Sequence, residues 1–128
     1  MTSGGWIGQI TFRRVADLER AHAFYAEALG LPLVLDQGRC RIYRVHGEAY
    51  LGLCLADAAT VAADSALVCL LSTDVDACFE RVRALGAVVE HPPCHNAEFA
   101  IYHAFVRDPD AHLVELQTFD DPRWATRA

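Results

Sequence analysis

The sequence predicts an α+β fold made of two tandem βαβββ modules, which form a half-open mixed β-barrel cleft with the helices outside. The first observation behind this prediction is a repeat, because the run that begins at Asp17 and ends at Gly30 recurs from Asp74 to Gly86. The second is that a series of short β-type runs follows each copy. Duplication of one supersecondary unit places a cleft between the copies, and we expect the function to lie there.

The first module covers about residues 6–56. Apolar and polar residues alternate over 7–13, which predicts a strand. Asp17 is a helix N-cap, the apolar residues after it recur at helical spacing, and Gly30 ends the helix. Three strands are then predicted at about 33–37, 40–46 and 49–55, separated by Gly38 and Gly47.

The second module covers about residues 66–119 and follows a weakly patterned linker at 56–65. It begins with an apolar strand at 67–71, and Asp74 and Gly86 again bound a helix. Strands follow at about 87–90, 100–106 and 112–118, with turns at Pro92-Pro93 and Asp108-Pro109-Asp110. With a C-terminal tail at 120–128, the whole chain is expected to be a single domain, 1–128.

The composition excludes several classes of protein. The 128 residues are 53% hydrophobic with a formal net charge of −6, so no nucleic-acid partner is expected. No apolar run approaches the roughly 20 residues that cross a bilayer, so no membrane partner is expected either. The five cysteines are an odd number without a Cys-x-x-Cys pair, which predicts free thiols in a reducing, cytoplasmic setting.

Strand parity predicts which side chains face the cleft, because alternate residues point to opposite faces of a sheet. In the first strand the apolar Ile10 and Phe12 fit the helix side. In the last strand Val114 and Leu116 do so. The residues expected to face the cleft are therefore Gln9, Thr11 and Arg13 in the first strand and Leu113, Glu115 and Gln117 in the last.

Three motifs resemble those of the vicinal oxygen chelate superfamily, which contains glyoxalase I, extradiol dioxygenases, fosfomycin-resistance enzymes and bleomycin-resistance proteins. They are Phe24-Tyr25 with Leu29-Gly30, the stretch 74–86, and the closing run 108–116. The resemblance covers about residues 7–119 in the right order. It implies the predicted fold and a homodimer, whereas the chemistry differs among members of one fold.

The resemblance also implies a divalent metal held by the first and last strands of each module. Glu115 occupies the glutamate slot. Gln9 is the second candidate ligand, although it lies one residue further from Asp17 than is usual and needs a bulge near Arg13-Arg14. The remaining two slots are empty, since they hold Gly52 or Cys54 and Leu67. This donor set is too small for a complete family site, so no cofactor is assured.

Two functions are consistent with these residues. The first is a protein that binds a small molecule in its cleft, as bleomycin-resistance proteins do, without the full metal site. The alternative is a metal-dependent lyase, isomerase or dioxygenase acting on vicinal oxygens, with Cys54 or His103 replacing a lost ligand, or a metal-independent enzyme. Glu115 is the candidate catalytic residue, and Trp124 in the tail is a candidate cover for the opening. The candidate substrate-binding residues are Gln9, Thr11, Arg13, Tyr50, Cys54, His103, Phe105 and Gln117.

Overall fold

The structure is a computed structural model that describes residues 4–127. It divides into two compact units, Met1–Asp64 and Ser65–Ala128. The boundary falls in the predicted linker between the modules. Of the helices in residues 4–127, none is long and apolar enough to cross a membrane.

Both units have the predicted β-α-β-β-β order, and each adds one short helix. The first unit contains β1 (Gln9–Val15), α1 (Leu18–His22), a π-helical turn (Ala23–Ala28), β2 (Leu33–Asp36), β3 (Cys40–His46), β4 (Ala49–Leu55) and α2 (Ala58–Ala63). The second unit contains β5 (Val68–Leu71), α3 (Val75–Ala84), β6 (Val88–Asn96), β7 (Ile101–Arg107), β8 (Leu113–Phe119) and α4 (Pro122–Ala125).

Each unit forms a four-stranded mixed sheet, and the two strand orders are equivalent. The first is β1-β4-β3-β2 and the second is β5-β8-β7-β6. In both, the first strand of the module pairs in parallel with the last, while the other neighbours are antiparallel. The duplicated βαβββ fold is therefore confirmed, and the half-open barrel stays a prediction.

The repeated helices begin and end at the predicted residues. Asp17 accepts a hydrogen bond from the backbone N–H of Arg20 at 3.0 Å, and Asp74 accepts one from Ala77 at 3.0 Å. Gly30 and Gly86 have positive φ angles of 76° and 96°, as C-terminal stops require. The first helix departs from expectation only in its second half, which is π-helical.

Two local predictions are wrong. The linker 56–65 contains α2, which Asp57 caps through a 2.8 Å hydrogen bond from the N–H of Thr60. Pro92-Pro93 is not a turn, because β6 continues through both prolines. They are tolerated there since β6 is an edge strand and its pairing with β7 shifts register on either side of His91.

The prediction of five free thiols is also wrong. Cys40 on β3 and Cys54 on β4 are joined by a disulfide, whereas Cys69, Cys78 and Cys94 are free. The two bonded residues are cross-strand neighbours in the β3–β4 hairpin. Sequence spacing does not show such a pairing, because it depends on the hairpin register.

The parity prediction for β1 is reversed. Arg13 is fully buried on the helix side, where its guanidinium Nη1 donates a 2.9 Å hydrogen bond to the Tyr25 hydroxyl on the π-helical turn. Ile10 and Phe12 lie on the opposite face and are 43% and 46% exposed. The pairing of β1 with β4 runs unbroken, so the bulge predicted at Arg13-Arg14 is absent.

Each unit has its own apolar core between sheet and helix. Parity in β8 is as predicted, with Val114 and Leu116 in the core. The most buried core residues of the first unit are Val15, Ala21, Tyr25, Tyr43, Leu51 and Leu53, and those of the second are Val75, Val82, Ala104, Val106, Val114 and Leu116.

Candidate functional site

A cavity of about 490 Å³ lies in the second unit and is bordered mainly by side chains of β7 and β8. The alternate residues of β7 point to the other face, where the Tyr102 hydroxyl donates to Asp76 on α3 at 2.6 Å. The apolar lining of the cavity consists of Phe99, Ile101, Phe105 and Phe119, and its polar lining of Asn96, His103, Glu115 and Gln117.

His103 and Glu115 form a hydrogen-bonded pair in this lining. His103 Nδ1 is 2.7 Å from Glu115 Oε2, and the two side chains are only 12% and 9% exposed. Because a carboxylate oxygen accepts, Nδ1–H is the donor in this pair. The other ring nitrogen, Nε2, takes no part in the hydrogen bond to Glu115. The pair joins β7 to β8 and fixes the orientation of the imidazole.

Gln117 and Cys69 extend the polar surface beside this pair. Gln117 is buried, and its side-chain Oε1 lies 3.6 Å from the Cys69 thiol, which donates to it. The pKa of Cys69 is raised to about 12, first by partial burial of the thiol and then by the negative charge of Glu115 on the neighbouring strand. The thiol therefore stays protonated at neutral pH and acts as a donor rather than as a nucleophile.

The C-terminal tail packs against one wall of the cavity. The Trp124 indole stacks on Phe119 with ring centroids 4.1 Å apart, and the Arg127 guanidinium lies 4.1 Å from the Trp124 ring centroid. Asp121 caps α4, and the pKa of this carboxyl is lowered to about 2, chiefly by the hydrogen bond from the Arg123 side chain. Trp124 thus supports Phe119, although it is not among the lining residues.

Four of the predicted site residues line this one cavity. They are His103, Phe105, Glu115 and Gln117. The other four lining residues were not predicted from the sequence; they are Asn96, Phe99, Ile101 and Phe119. Strand alternation could have identified two of these, since Ile101 precedes His103 by two positions and Phe119 follows Gln117 by two. Phe99 lies in the turn between β6 and β7, where no periodic signal exists.

The predicted site residues of the first unit lie elsewhere. Gln9 is exposed and donates to the Thr11 hydroxyl at 3.3 Å. Both share the strand parity of the buried Arg13, on the helix side of the sheet. The Tyr50 hydroxyl donates to Glu48 at 2.8 Å, and Cys54 is in the disulfide.

The slots for the family's metal do not carry a fitting set of donors in either unit. Because β1 has no bulge, the apolar Ile10 rather than Gln9 stands at the usual spacing before Asp17. Gly52 on β4 and Leu67 before β5 provide no ligand atom, which leaves Glu115, and its Oε2 is bonded to His103. Within residues 4–127, no cluster of three or more His, Cys, Asp or Glu side chains is placed to hold a metal ion.

The sequence matches the model of the Glyoxalase/Bleomycin resistance protein/Dioxygenase superfamily over residues 6–116, which is most of the chain. The chain belongs to this superfamily. The match spans both modules, in agreement with the vicinal oxygen chelate resemblance. A comparison with curated proteins gave no match.

Solved structures of the superfamily share the fold over nearly their whole length. A lactoylglutathione lyase from Agrobacterium tumefaciens is 27% identical, with 91% of this chain and 95% of that chain covered and a TM-score of 0.71. A glyoxalase/bleomycin resistance protein from Streptomyces sp. CB03234 is 26% identical, with 87% and 99% covered and a TM-score of 0.71. A glyoxalase/bleomycin resistance protein/dioxygenase from Alicyclobacillus acidocaldarius is 19% identical, with 91% and 93% covered and a TM-score of 0.75. At this identity the similarity concerns the fold alone.

Proposed function

We propose that this superfamily member binds a small planar molecule, bearing an N–H or O–H donor, in the cavity of its second unit and without the family's metal. The observation that carries the proposal is an aromatic-walled cavity with a nearly buried carboxylate in its lining. Glu115 and Gln117, predicted from strand parity, supply the polar contacts. Phe105, predicted as a contact residue, supplies part of the wall.

The walls determine the shape of the ligand. A cavity of about 490 Å³ is within the usual range of roughly 300–1,000 Å³ for small-molecule sites. Phe99, Phe105 and Phe119 contribute three rings, and aromatic side chains bury flat apolar ligands through stacked or edge-to-face contacts. These contacts favour a ligand with a planar apolar body.

The polar lining determines which hydrogen-bonding groups the ligand needs. A carboxylate with little exposure is costly unless hydrogen bonds satisfy its oxygens, and His103 supplies one to Oε2. A ligand N–H or O–H directed at Glu115 adds another. The Gln117 amide, which both donates and accepts, can orient a second polar group of the ligand.

Binding of a matched probe pair tests this proposal. We expect 2-naphthol, which has a donor, to bind more tightly than 2-methoxynaphthalene, which has none. Glu115→Gln should weaken 2-naphthol binding about tenfold or more, since a hydrogen bond to a charged group contributes about 1.5–3 kcal/mol. The same variant should leave 2-methoxynaphthalene binding within about twofold. Titration calorimetry on the full chain measures both.

The control variant is Glu27→Gln, which changes an exposed carboxylate in the first unit. It should leave the affinity for both probes unchanged. The proposed site would be contradicted if neither probe bound at about millimolar concentration. It would also be contradicted if Glu115→Gln lowered the affinity for both probes equally.

The second candidate function is a metal-dependent lyase. It is favoured by the 27% identity to the Agrobacterium tumefaciens lactoylglutathione lyase and by Glu115 in the family's glutamate slot. The residues at the family's metal slots argue against the lyase, because only Glu115 among them has a side chain that can bind a metal ion. Turnover of the hemithioacetal of methylglyoxal and glutathione, measured with added Zn²⁺ or Ni²⁺ alongside elemental analysis, distinguishes the two. Stoichiometric metal that is lost in Glu115→Ala, together with turnover, would replace the binding function with the lyase.

We also propose that the protein is a cytoplasmic homodimer, as the family resemblance implies. Light scattering of the purified full chain gives the molar mass. A value equal to one chain of 14.1 kDa across the concentration range would contradict the dimer.

A further inference from the structure

We propose that Cys40 and Cys54 form a reversible exchange site for low-molecular-weight thiols such as glutathione. The site lies in the first unit, whereas the residues that line the binding cavity belong to the second. Three observations carry it: the position of the two cysteines in the hairpin, their exposure, and the arginine beside Cys54.

The bond joins two strands that are already held together. Leu55 N–H donates to the Arg39 carbonyl at 2.8 Å, which places the next pair, Cys40 and Cys54, at a non-hydrogen-bonded position with Cα atoms 4.2 Å apart. The rest of the β3–β4 hairpin is paired by its backbone. A link of sequence separation 14 restricts the unfolded chain less than a link between distant elements. Opening it therefore need not disrupt the sheet.

The bond is also accessible to a reagent. Both cysteines are half-buried rather than enclosed in the core. Exposed disulfides exchange more readily with thiols in solution than enclosed ones do, and the partial exposure of Cys40 and Cys54 leaves this bond open to attack.

Arg14 gives the two sulfurs different roles. It is exposed and is the β1 register partner of Cys54, so both side chains lie on the same face of adjacent strands. A neighbouring positive charge stabilises a thiolate and makes it a better leaving group. Cys54 is therefore the sulfur that leaves, and Cys40 is the sulfur that is attacked.

The reaction balances with two equivalents of thiol. The first thiolate forms a bond to Cys40 Sγ as the Cys40–Cys54 bond breaks, and the electron pair passes to Cys54 Sγ. The second thiolate attacks the incoming sulfur of this mixed disulfide and releases Cys40 as a thiolate. The two thiols are oxidised to one small disulfide, and their two protons end on Cys40 and Cys54.

Thiol counting by mass spectrometry tests the proposal. The native full chain is incubated with reduced and oxidised glutathione in varied ratios, quenched with N-ethylmaleimide and weighed intact. With three free cysteines of five, the oxidised form should carry three adducts and the reduced form five. The conversion should reverse on adding oxidised glutathione. The Cys54→Ser variant should accumulate a single glutathione on Cys40.

The Arg14→Gln variant tests the assigned charge. It should slow reduction by glutathione about threefold or more, whereas Arg44→Gln, an exposed arginine on β3, should leave the rate unchanged. If Arg14→Gln and the unmodified chain were reduced by glutathione at equal rates, the assignment of Cys54 as the leaving sulfur would be wrong. A bond that opens only in denaturant, or five adducts even in oxidised glutathione, would overturn the exchange site.

Discussion

Arg13 is an ion whose side chain is fully buried, and Tyr25 provides a hydrogen-bond acceptor for it. Tyr25→Phe removes that hydroxyl without changing the ring. We expect the free energy of unfolding to fall by about 1–3 kcal/mol, because a buried charged donor loses an acceptor. Urea denaturation measures the change. Tyr50→Phe, which removes a hydroxyl from an exposed hydrogen-bond cluster, should cost less than about 0.5 kcal/mol, and equal losses would contradict this account.

Single residues differ in how far their position could be predicted. Glu115 and Gln117 alternate with core residues in a strand whose apolar set is unambiguous, so parity placed them in the cavity lining. Arg13 could not be placed in this way, because nothing in the sequence shows that a tyrosine in the next helix would hold it. Once Arg13 is buried, Ile10 and Phe12 must lie on the other face, and the metal slot at β1 becomes apolar.

At the level of elements, the turn between β7 and β8 contains a strained alanine. Ala111 has a φ angle of 66°, while the Asp108 side chain accepts hydrogen bonds from the N–H groups of Asp110 and His112 at 2.9 Å each. We expect Ala111→Gly to raise the free energy of unfolding by about 1 kcal/mol, since glycine adopts this conformation without a Cβ clash. Thermal and urea denaturation test it. Ala104→Gly, in the buried part of β7, should lower stability instead, and a loss in both variants would contradict the strain.

The β1–β4 pair depends on a glycine at one of the family's ligand slots. A Cβ on Gly52 would lie 2.5 Å from Phe12 Cδ1 and 2.6 Å from Phe12 Cε1, so the ring occupies the space that a ligand side chain would need. Gly52→Ala should cost about 1–2 kcal/mol by displacing the ring. In a Phe12→Ala background the same substitution should cost less than about 0.5 kcal/mol, and a double-mutant cycle measures this coupling. If Gly52→Ala lowered the free energy of unfolding equally in both backgrounds, contact with the Phe12 ring would not be the cause.

The strong, periodic elements were predictable, and the weakly patterned ones were not. Caps and stops at Asp17, Gly30, Asp74 and Gly86 define both long helices from the sequence. The helix α2 was missed because small residues in 58–63 give little amphipathic contrast. The strand β6 was cut short because prolines usually end strands, and only its position at the sheet edge explains why it continues.

At the scale of the whole molecule, two modules with the same strand order have diverged in chemistry. The first carries a disulfide and an exposed apolar pair, Ile10 and Phe12, on the sheet face opposite α1. The second carries the cavity with Glu115 and His103. The duplication therefore predicts the fold of each module well. It does not predict their sites, because a few inward side chains decide those.

The pH dependence of stability at alkaline pH is a further property of the whole chain. Its eleven basic residues are all arginines, so no lysine titrates above neutral pH. The pKa of Cys69 is raised from 9.0 to about 12, and the pKa values of Tyr43 and Tyr102 are also raised, by burial and by the hydrogen bond to Asp76 respectively. In the unfolded chain these groups lose their protons earlier, so the unfolded state binds fewer protons and stability must fall as pH rises.

Cys69→Ser isolates one part of this fall, because serine has no proton to lose in the same range. We expect the urea midpoint of the unmodified chain to decrease between about pH 9 and about pH 12, the ordinary and the raised pKa of Cys69, and to decrease less in the variant. Near neutral pH the midpoints of the two proteins should change with pH to the same extent, because the Cys69 thiol is protonated in both the folded and the unfolded state. Parallel pH profiles for the two proteins would show that the thiol is not held in its protonated form beside Glu115. In that case the polar lining of Asn96, His103, Glu115 and Gln117 would have no protonated thiol from β5 beside it.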